Sequence, residues 1–308
     1  MASILESVNQ RTQLVGQNRL ELLLFKLNGR QRFGINVFKV KEVLQCPPLT
    51  KLPKLSSYIR GIAQIRGQTL SVIDLSAATG GKPILDVSDC FIIISEYNRS
   101  VQGFLVKSVE RIINTNWEDI MPPPNGTGKT SYLTAVTEIE GELVEILDVE
   151  KILDEISPVK TDLSEAAQEQ LTIDKDKSYH IMVIDDSSVA RKQIIRSLES
   201  LGLQIDTAKD GREALNMLLR FAEDQENLAD EIPLIISDIE MPEMDGYTLT
   251  SEIRANPKLK DIKVVLHTSL SGVFNQAMVE KVGADDFIAK FNPDELATKV
   301  NKHLCIDV

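Results

Sequence analysis

The sequence is sparing with several residue types, and each scarcity excludes something. Only three cysteines occur in 308 residues, Cys46, Cys90 and Cys305, and no two form a CxxC pair. They read as reduced structural thiols, not as a disulfide framework. Histidine occurs three times, at 180, 267 and 303, so the first 157 residues contain none. That half also has no paired thiols and no glycine-rich phosphate loop, hence no evident catalytic set. Apolar runs are short; LELLLF and CFIIIS cannot cross a bilayer. The opening MASILESVNQ lacks the basic region and apolar core of a secretory signal. A cytoplasmic protein without direct membrane insertion is expected. Positive charge is in deficit, with a formal net charge of -12. Residues 1–157 carry 17 Lys/Arg against 18 Asp/Glu, residues 158–179 carry 3 against 5, and residues 180–308 carry 14 against 23. An acidic second half argues against non-specific nucleic-acid binding and against docking to an anionic membrane. It suits a site that gathers a divalent cation.

What is present divides the chain. The length suits two domains. Residues 1–17 are polar and mixed, an arm or short helix. From 18 to 157 short β-like runs alternate with Gly, Pro and Asn: LELLLFKL, QRFGINV, GIAQIRG, QTLSVIDL, CFIIISEY, VQGFLVKSVERII, YLTAVTEIEG and ELVEILDV. Leu27-Asn28-Gly29-Arg30 and Ile139-Glu140-Gly141-Glu142 are hairpin signals. An all-β domain, a small barrel, is expected. QTLSVIDL and ELVEILDV echo each other, each extended and ending in Asp, which hints at two related halves. Asp74 and Asp148 read as turn or structural acids, and Lys151 to Ile156 as a closing helical turn. Residues 158–179 read as an acidic polar linker, either a loose tether or partly helical over SEAAQEQL.

From His180 the period changes. Five apolar strands alternate with five helical patterns across 180–308, the signature of a doubly wound α/β domain. The stretch FAEDQENLADEI is longer than that layout needs and is expected to project.

Asp185, Asp186, Asp238, Thr268 and Lys290 fall at the ends of predicted strands. In an open parallel sheet those ends meet at one crevice. Carboxylates beside a hydroxyl and an ammonium make the layout of a magnesium-dependent phosphoacceptor site. Mg²⁺ takes hard oxygen ligands and keeps several waters. Asp186 and Asp238 are the expected direct ligands, with the backbone carbonyl of Glu240, while Asp185 holds a metal-bound water. Asp238 is the expected nucleophile. Lys290 and the Thr268 hydroxyl would stabilise the transferring oxygens.

This set resembles the response-regulator receiver domain, over roughly residues 180–306. Met241-Pro242, Asp245-Gly246 and Gly283-Ala284 extend the match. The resemblance implies an acidic pair at 185–186, a phosphoacceptor at Asp238, a switch hydroxyl at Thr268 and a conserved-type lysine at Lys290. Phe291 replaces the proline that usually follows the lysine. A non-proline cis bond costs roughly 3 kcal/mol, so a trans bond, or a strained cis one, is expected. Phe287 occupies the aromatic switch position. It is either a ring that turns in when Thr268 moves or plain packing.

Residues 18–157 resemble the chemotaxis coupling domain, the CheW-like fold with two small β-barrels. The match rests on Arg60 to Gly67, RGIAQIRG, followed by Ser71-Val72-Ile73-Asp74-Leu75, on Phe33-Gly34-Ile35, on Val40-Lys41-Glu42-Val43, and on Val101-Gln102-Gly103 through Val109. Ser71 stands where the family has proline. The resemblance implies docking to chemoreceptor tips and to the histidine kinase CheA. Arg66 is then an interface residue or an arginine fixing its hairpin. Ile65, Val37, Val40 and Val43 flank a groove or belong to the core, and Glu42 is a rim charge or simply solvated.

A coupling domain followed by a receiver resembles the arrangement of the CheV family. That resemblance implies an adaptor near membrane-proximal chemoreceptor arrays, with CheA, receptors and other coupling proteins as partners. CheA phosphohistidine would donate to Asp238, for adaptation or as a phosphate sink. A constitutive scaffold with an inert receiver is the rival. A small-molecule phosphatase lacks a substrate cap, and a transcription factor lacks a basic helical module. The protein is not a classical enzyme, although the receiver would catalyse its own aspartyl phosphorylation and dephosphorylation.

Overall fold

The computed structural model describes residues 19–51, 53, 56–97, 100–123, 132–158, 162–169, 171–172, 179–268, 279–289 and 292–305. The N-terminal arm, part of the Pro122–Gly126 loop, Lys290 and Phe291 lie outside these residues. The chain forms two compact units, one over Arg19–Val159 and one that includes Lys160–Val308.

The first unit contains eleven labelled strands: β1 (Arg19–Lys26), β2 (Arg32–Asn36), β3 (Glu42–Gln45), β4 (Ile59–Ile65), β5 (Gln68–Asp74), β6 (Phe91–Tyr97), β7 (Ser100–Val106), β8 (Ser108–Asn116), β9 (Ile120–Met121), β10 (Leu133–Ile139) and β11 (Glu142–Leu147). Helices α1 (Leu75–Ala78) and α2 (Val149–Ile156) follow β5 and β11. One sheet runs β8-β1-β2-β11-β10-β9, the other β3-β6-β7-β5-β4. A bridge between Thr50 and Ile62 brings the chain beyond β3 onto β4, so the second sheet curls towards closure.

The echo seen in the sequence is a structural repeat. Hairpins β4–β5 and β10–β11 each turn through two residues of positive φ, Arg66 (49°) with Gly67 (80°), and Glu140 (57°) with Gly141 (79°). Such turns match the twist of the strands they join. Each second strand leads into an aspartate that caps the next helix, Asp74 at the end of β5 and Asp148 just after β11. Asp74 accepts from the Ala77 amide at 3.1 Å and Asp148 from the Lys151 amide at 2.9 Å. Both strands also lie parallel to a neighbour, β5 to β7 and β11 to β2. The two aspartates are thus structural. Leu23, Phe25, Ile73, Phe104, Leu147 and Ile152 share one buried cluster that joins the two sheets.

The second unit contains β12 (His180–Ile184), β13 (Gln204–Ala208), β14 (Leu234–Asp238), β15 (Lys263–Thr268) and β16 (Asp286–Ala289). Its helices are α3 (Glu165–Glu169), α4 (Ser188–Leu198), α5 (Gly211–Phe221), α6 (Gly246–Ala255) and α7 (Pro293–Leu304). A further helical turn spans 279–282. The sheet is parallel, in the order β13-β12-β14-β15-β16. All five residues of β14 are buried, as expected where helices cover both faces. Ser187, Asp210, Asp245 and Asn292 each accept an amide hydrogen bond at a helix start.

The stretch after α5 is exposed over residues 223–226 and then packs back onto the unit. Leu228 and Ile232 are fully buried with Leu259 and Ile262. Lys258 donates to the carbonyl of Ala222 at 2.6 Å and closes the end of α5. The acidic side chains hid two core residues spaced four apart. Residues 163–169 and 171–172 lie against α7; Leu163 belongs to the core beside it, and Ala167 is buried as well. No helix among the described residues is long and apolar enough to cross a membrane.

Candidate functional site

The strand order reverses between β12 and β14, which opens a crevice at their C-terminal ends. Asp185 and Asp186 follow β12, and Asp238 ends β14. Ile184 pairs with Ser237, so the two chain ends are neighbours. One carboxylate oxygen from each of Asp185, Asp186 and Asp238 lies within 4.8 Å of the others. Asp185 is wholly buried and Asp238 is 4% exposed. Like charges at that distance with little solvent repel strongly, and a cation relieves the repulsion.

Local chemistry fixes each acid. Asp185 Oδ1 accepts from the Ser187 amide at 2.8 Å, while the Ser187 hydroxyl caps α4. Arg191 Nη1 donates to the Asp185 carbonyl. Asp238 Oδ1 accepts from the Ile239 amide at 2.8 Å. The loop from 239 to 245 is held by apolar anchors, since Met241 and Met244 are buried. Gly211 donates to the Met244 carbonyl at 3.1 Å, at a place where a Cβ would stand 2.5 Å from that oxygen. Glu240 is half-buried two residues beyond Asp238. The Tyr247 phenol, also buried, is pushed up to about 12 by desolvation, with Glu240 and Asp245 adding to the effect.

Thr268 ends β15 opposite Ala289, and His267 pairs with Asp238, so the backbone at 268 reaches the same rim. The Thr268 side chain and Lys290 lie outside the described residues. Phe287 is half-buried against the core that α5 and α6 cover. Lys299 Nζ stands 5.6 Å from its ring centre. Sequence reasoning missed Arg191, Lys299 and Asp286. Nothing in a single chain marks a helical lysine as the partner of a strand thirteen residues earlier.

In the first unit, Arg66 leaves its turn and binds Glu42 at 2.6 Å, with its side chain 78% exposed. Ile65, Arg66 and Glu42, with Lys41, Leu70 and Val101, line a cleft of about 450 Å³. Val37, Val40 and Val43 pack instead, half-buried, on the cluster that joins the sheets. The structure therefore gathers three of the six candidate docking residues into one cleft and sets the three valines elsewhere.

The profile of the CheW-like domain matches residues 21–157 and that of the response regulator receiver domain matches 181–301. The fold and the acidic crevice thus define a chemotaxis coupling protein that carries a receiver domain. Chemotaxis protein CheV3 of Helicobacter pylori is 31% identical over 302 residues, covering 93% of this chain and 95% of its own length. Chemotaxis protein CheV1 of the same organism is 28% identical, covering 99% of both chains. A probable chemotaxis protein CheW of Rhizobium etli is 29% identical over 143 residues, 46% of this chain and 92% of that one. The chain belongs to the CheV family of chemotaxis proteins.

Proposed function

We propose that the chain couples chemoreceptors to the kinase CheA and that phosphorylation of Asp238 regulates this coupling. The observation that carries the reading is the trio of carboxylates crowded at one sheet end, two of them buried. Their hard oxygens fit Mg²⁺, which Asp185, Asp186, Asp238 and the Glu240 carbonyl would hold. When bound, Mg²⁺ supplies positive charge to the transferring oxygens. Asp238 contributes the attacking carboxylate oxygen. Its bond to phosphorus forms as the P–N bond of a CheA phosphohistidine breaks, and the imidazole nitrogen keeps the electron pair. Lys290 and the Thr268 hydroxyl hold the phosphoryl oxygens, and Phe287 follows Thr268 inward. Glu240 tunes the later attack of water, so an unchanged acyl-phosphate lifetime in Glu240→Gln would remove that role.

The coupling unit docks through the cleft of Ile65, Arg66 and Glu42, with Val37, Val40 and Val43 shaping the neighbouring surface. The assembly belongs in the cytoplasm beside receptor arrays. Residues 1–17 act as an arm, 18–157 as the coupling domain, 158–179 as the connector and 180–308 as the receiver.

The test mixes the full chain, phosphorylated CheA and Mg²⁺, with an Asp238→Ala control, and then measures receptor–kinase activation. Label on Asp238 with altered activation is the expected result. Label that is rapidly lost without altered activation would indicate a phosphate sink. No Asp238-dependent label would leave a scaffold with an inert receiver.

A further inference from the structure

Helix α7 has three working faces. Leu296, Ala297 and Val300 enter the core. On one flank, two turns apart, Asp294 and Asn301 hold the segment that precedes the receiver. Asp294 Oδ1 accepts from the Ser164 amide at 2.9 Å, and Asn301 Oδ1 from the Thr172 amide at 2.8 Å. Asn301 Nδ2 returns a bond to the Thr172 hydroxyl at 3.2 Å. On the opposite flank, Lys299 holds β16. Its Nζ binds Asp286 Oδ1 at 2.6 Å and the Phe287 carbonyl at 2.7 Å, besides facing the Phe287 ring. His303 Nε2 lies 3.4 Å from Asp286 Oδ2.

The geometry points to residues 163–169 with 171–172 as a strap whose docking on α7 is set by Phe287 through Lys299. This inference rests on the phosphotransfer reading above. Residues 163–172 follow α2 along the chain, and α2 is anchored in the coupling unit by Ile152 and Leu153. A helix of α7's length is stiff, so a shift demanded on one flank is felt on the other. When Phe287 turns inward, Lys299 loses the ring face and must follow the strand or release it. Either response displaces Asp294 and Asn301 relative to the strap. Hydrogen bonds weaken steeply with misalignment, and these two amides take their acceptors from α7 alone among the bonds described. Strap docked and strap released are then the two states that phosphorylation biases. Release lengthens the tether to the coupling unit.

The test is hydrogen exchange at the Ser164 and Thr172 amides of the full chain, with and without acetyl phosphate and Mg²⁺. Intact mass reports the phosphoryl group on each sample. Allosteric couplings span about 5- to 150-fold, and exchange at both amides should quicken by a factor in that range on labelling. Lys299→Met should take up the label yet show no such quickening. A labelled chain with unchanged exchange overturns the strap and leaves the phosphotransfer reading standing. A Lys299→Met variant that responds like the unaltered chain overturns the route through Lys299. Failure to label with acetyl phosphate and also with phosphorylated CheA removes the phosphotransfer reading, and the strap falls with it.

Discussion

Gly246 sits so close to the Asp238 carbonyl that a Cβ would stand 2.2 Å from the oxygen. The helix that follows the acidic loop therefore starts against the candidate phosphoacceptor itself, and the Gly246 amide bonds the Ile239 carbonyl at 2.9 Å. Gly246→Ala should force the two apart. Overpacking of this kind costs about 1–3 kcal/mol, read as a lower melting temperature of the receiver. Labelling of Asp238 should fall with it, because the displaced group is the Asp238 backbone.

Removing charge from the crevice should separate stability from metal response. At a hundredfold excess over Kd, Mg²⁺ should stabilise the unaltered chain by about 2.7 kcal/mol, on the order of 10 °C. Asp238→Asn should melt higher than the unaltered chain without metal, since two buried acids no longer repel. It should gain little on adding Mg²⁺. Thermal melts with and without the ion check both. Equal responses in the two proteins would contradict a cation site.

Acid should act on the receiver through Asp286. Burial pushes this carboxyl up, but Lys299, the Phe287 amide and His303 outweigh it, and the net result lies below the usual carboxylate range. A depressed folded value contributes stability that is present above the unfolded value of about 3.9 and is lost as pH falls through the folded one. Asp286→Asn should flatten the receiver's loss of stability below about pH 4 and leave the acid response of the coupling unit unchanged. Melts between pH 3 and 7 measure it.

Arg66 carries two readings that one substitution can divide. Its φ of 49° is a conformation that L residues avoid and asparagine adopts readily. Arg66→Asn should keep the hairpin and match or exceed the original stability, by up to about 1 kcal/mol. If the exposed guanidinium docks a partner, binding to CheA or receptor fragments should weaken all the same. Lost stability with intact binding would make Arg66 a structural residue.

Much of this architecture was legible because it rests on local rules. The five receiver strands are apolar runs, and α7 begins and ends where Pro293 and Leu304 indicate. The Asp185, Asp186 and Asp238 cluster was readable because strand ends converge in a parallel sheet. Other features depend on distant partners. The run VQGFLVKSVERII reads as one strand, yet it divides at Lys107 into β7 and β8, which join different sheets. Its period does not change there; only the neighbours do. Strand β9 has two residues and is defined by pairing with β10. Leu228 and Ile232 were masked by acidic neighbours. The lodging of Ser164 and Thr172 on α7 depends on Asp294 and Asn301, far along the chain.

The parallel pairing of β2 with β11 has a consequence for how the protein is made. Gln31 bonds the carbonyl of Leu143, 112 positions away, and the ladder beside it sets Arg32 opposite Val144. During synthesis the first hairpin emerges early but must wait for β11 before its open edge is covered. Loop-closure entropy makes such distant pairings slow to form. The strand pairs of the receiver span shorter stretches of chain, as Ile181 with Leu234 and Leu234 with Lys263. The window in which the nascent chain is most exposed to mispairing thus falls before residue 147 leaves the ribosome, and a chaperone that shields β2 would act there.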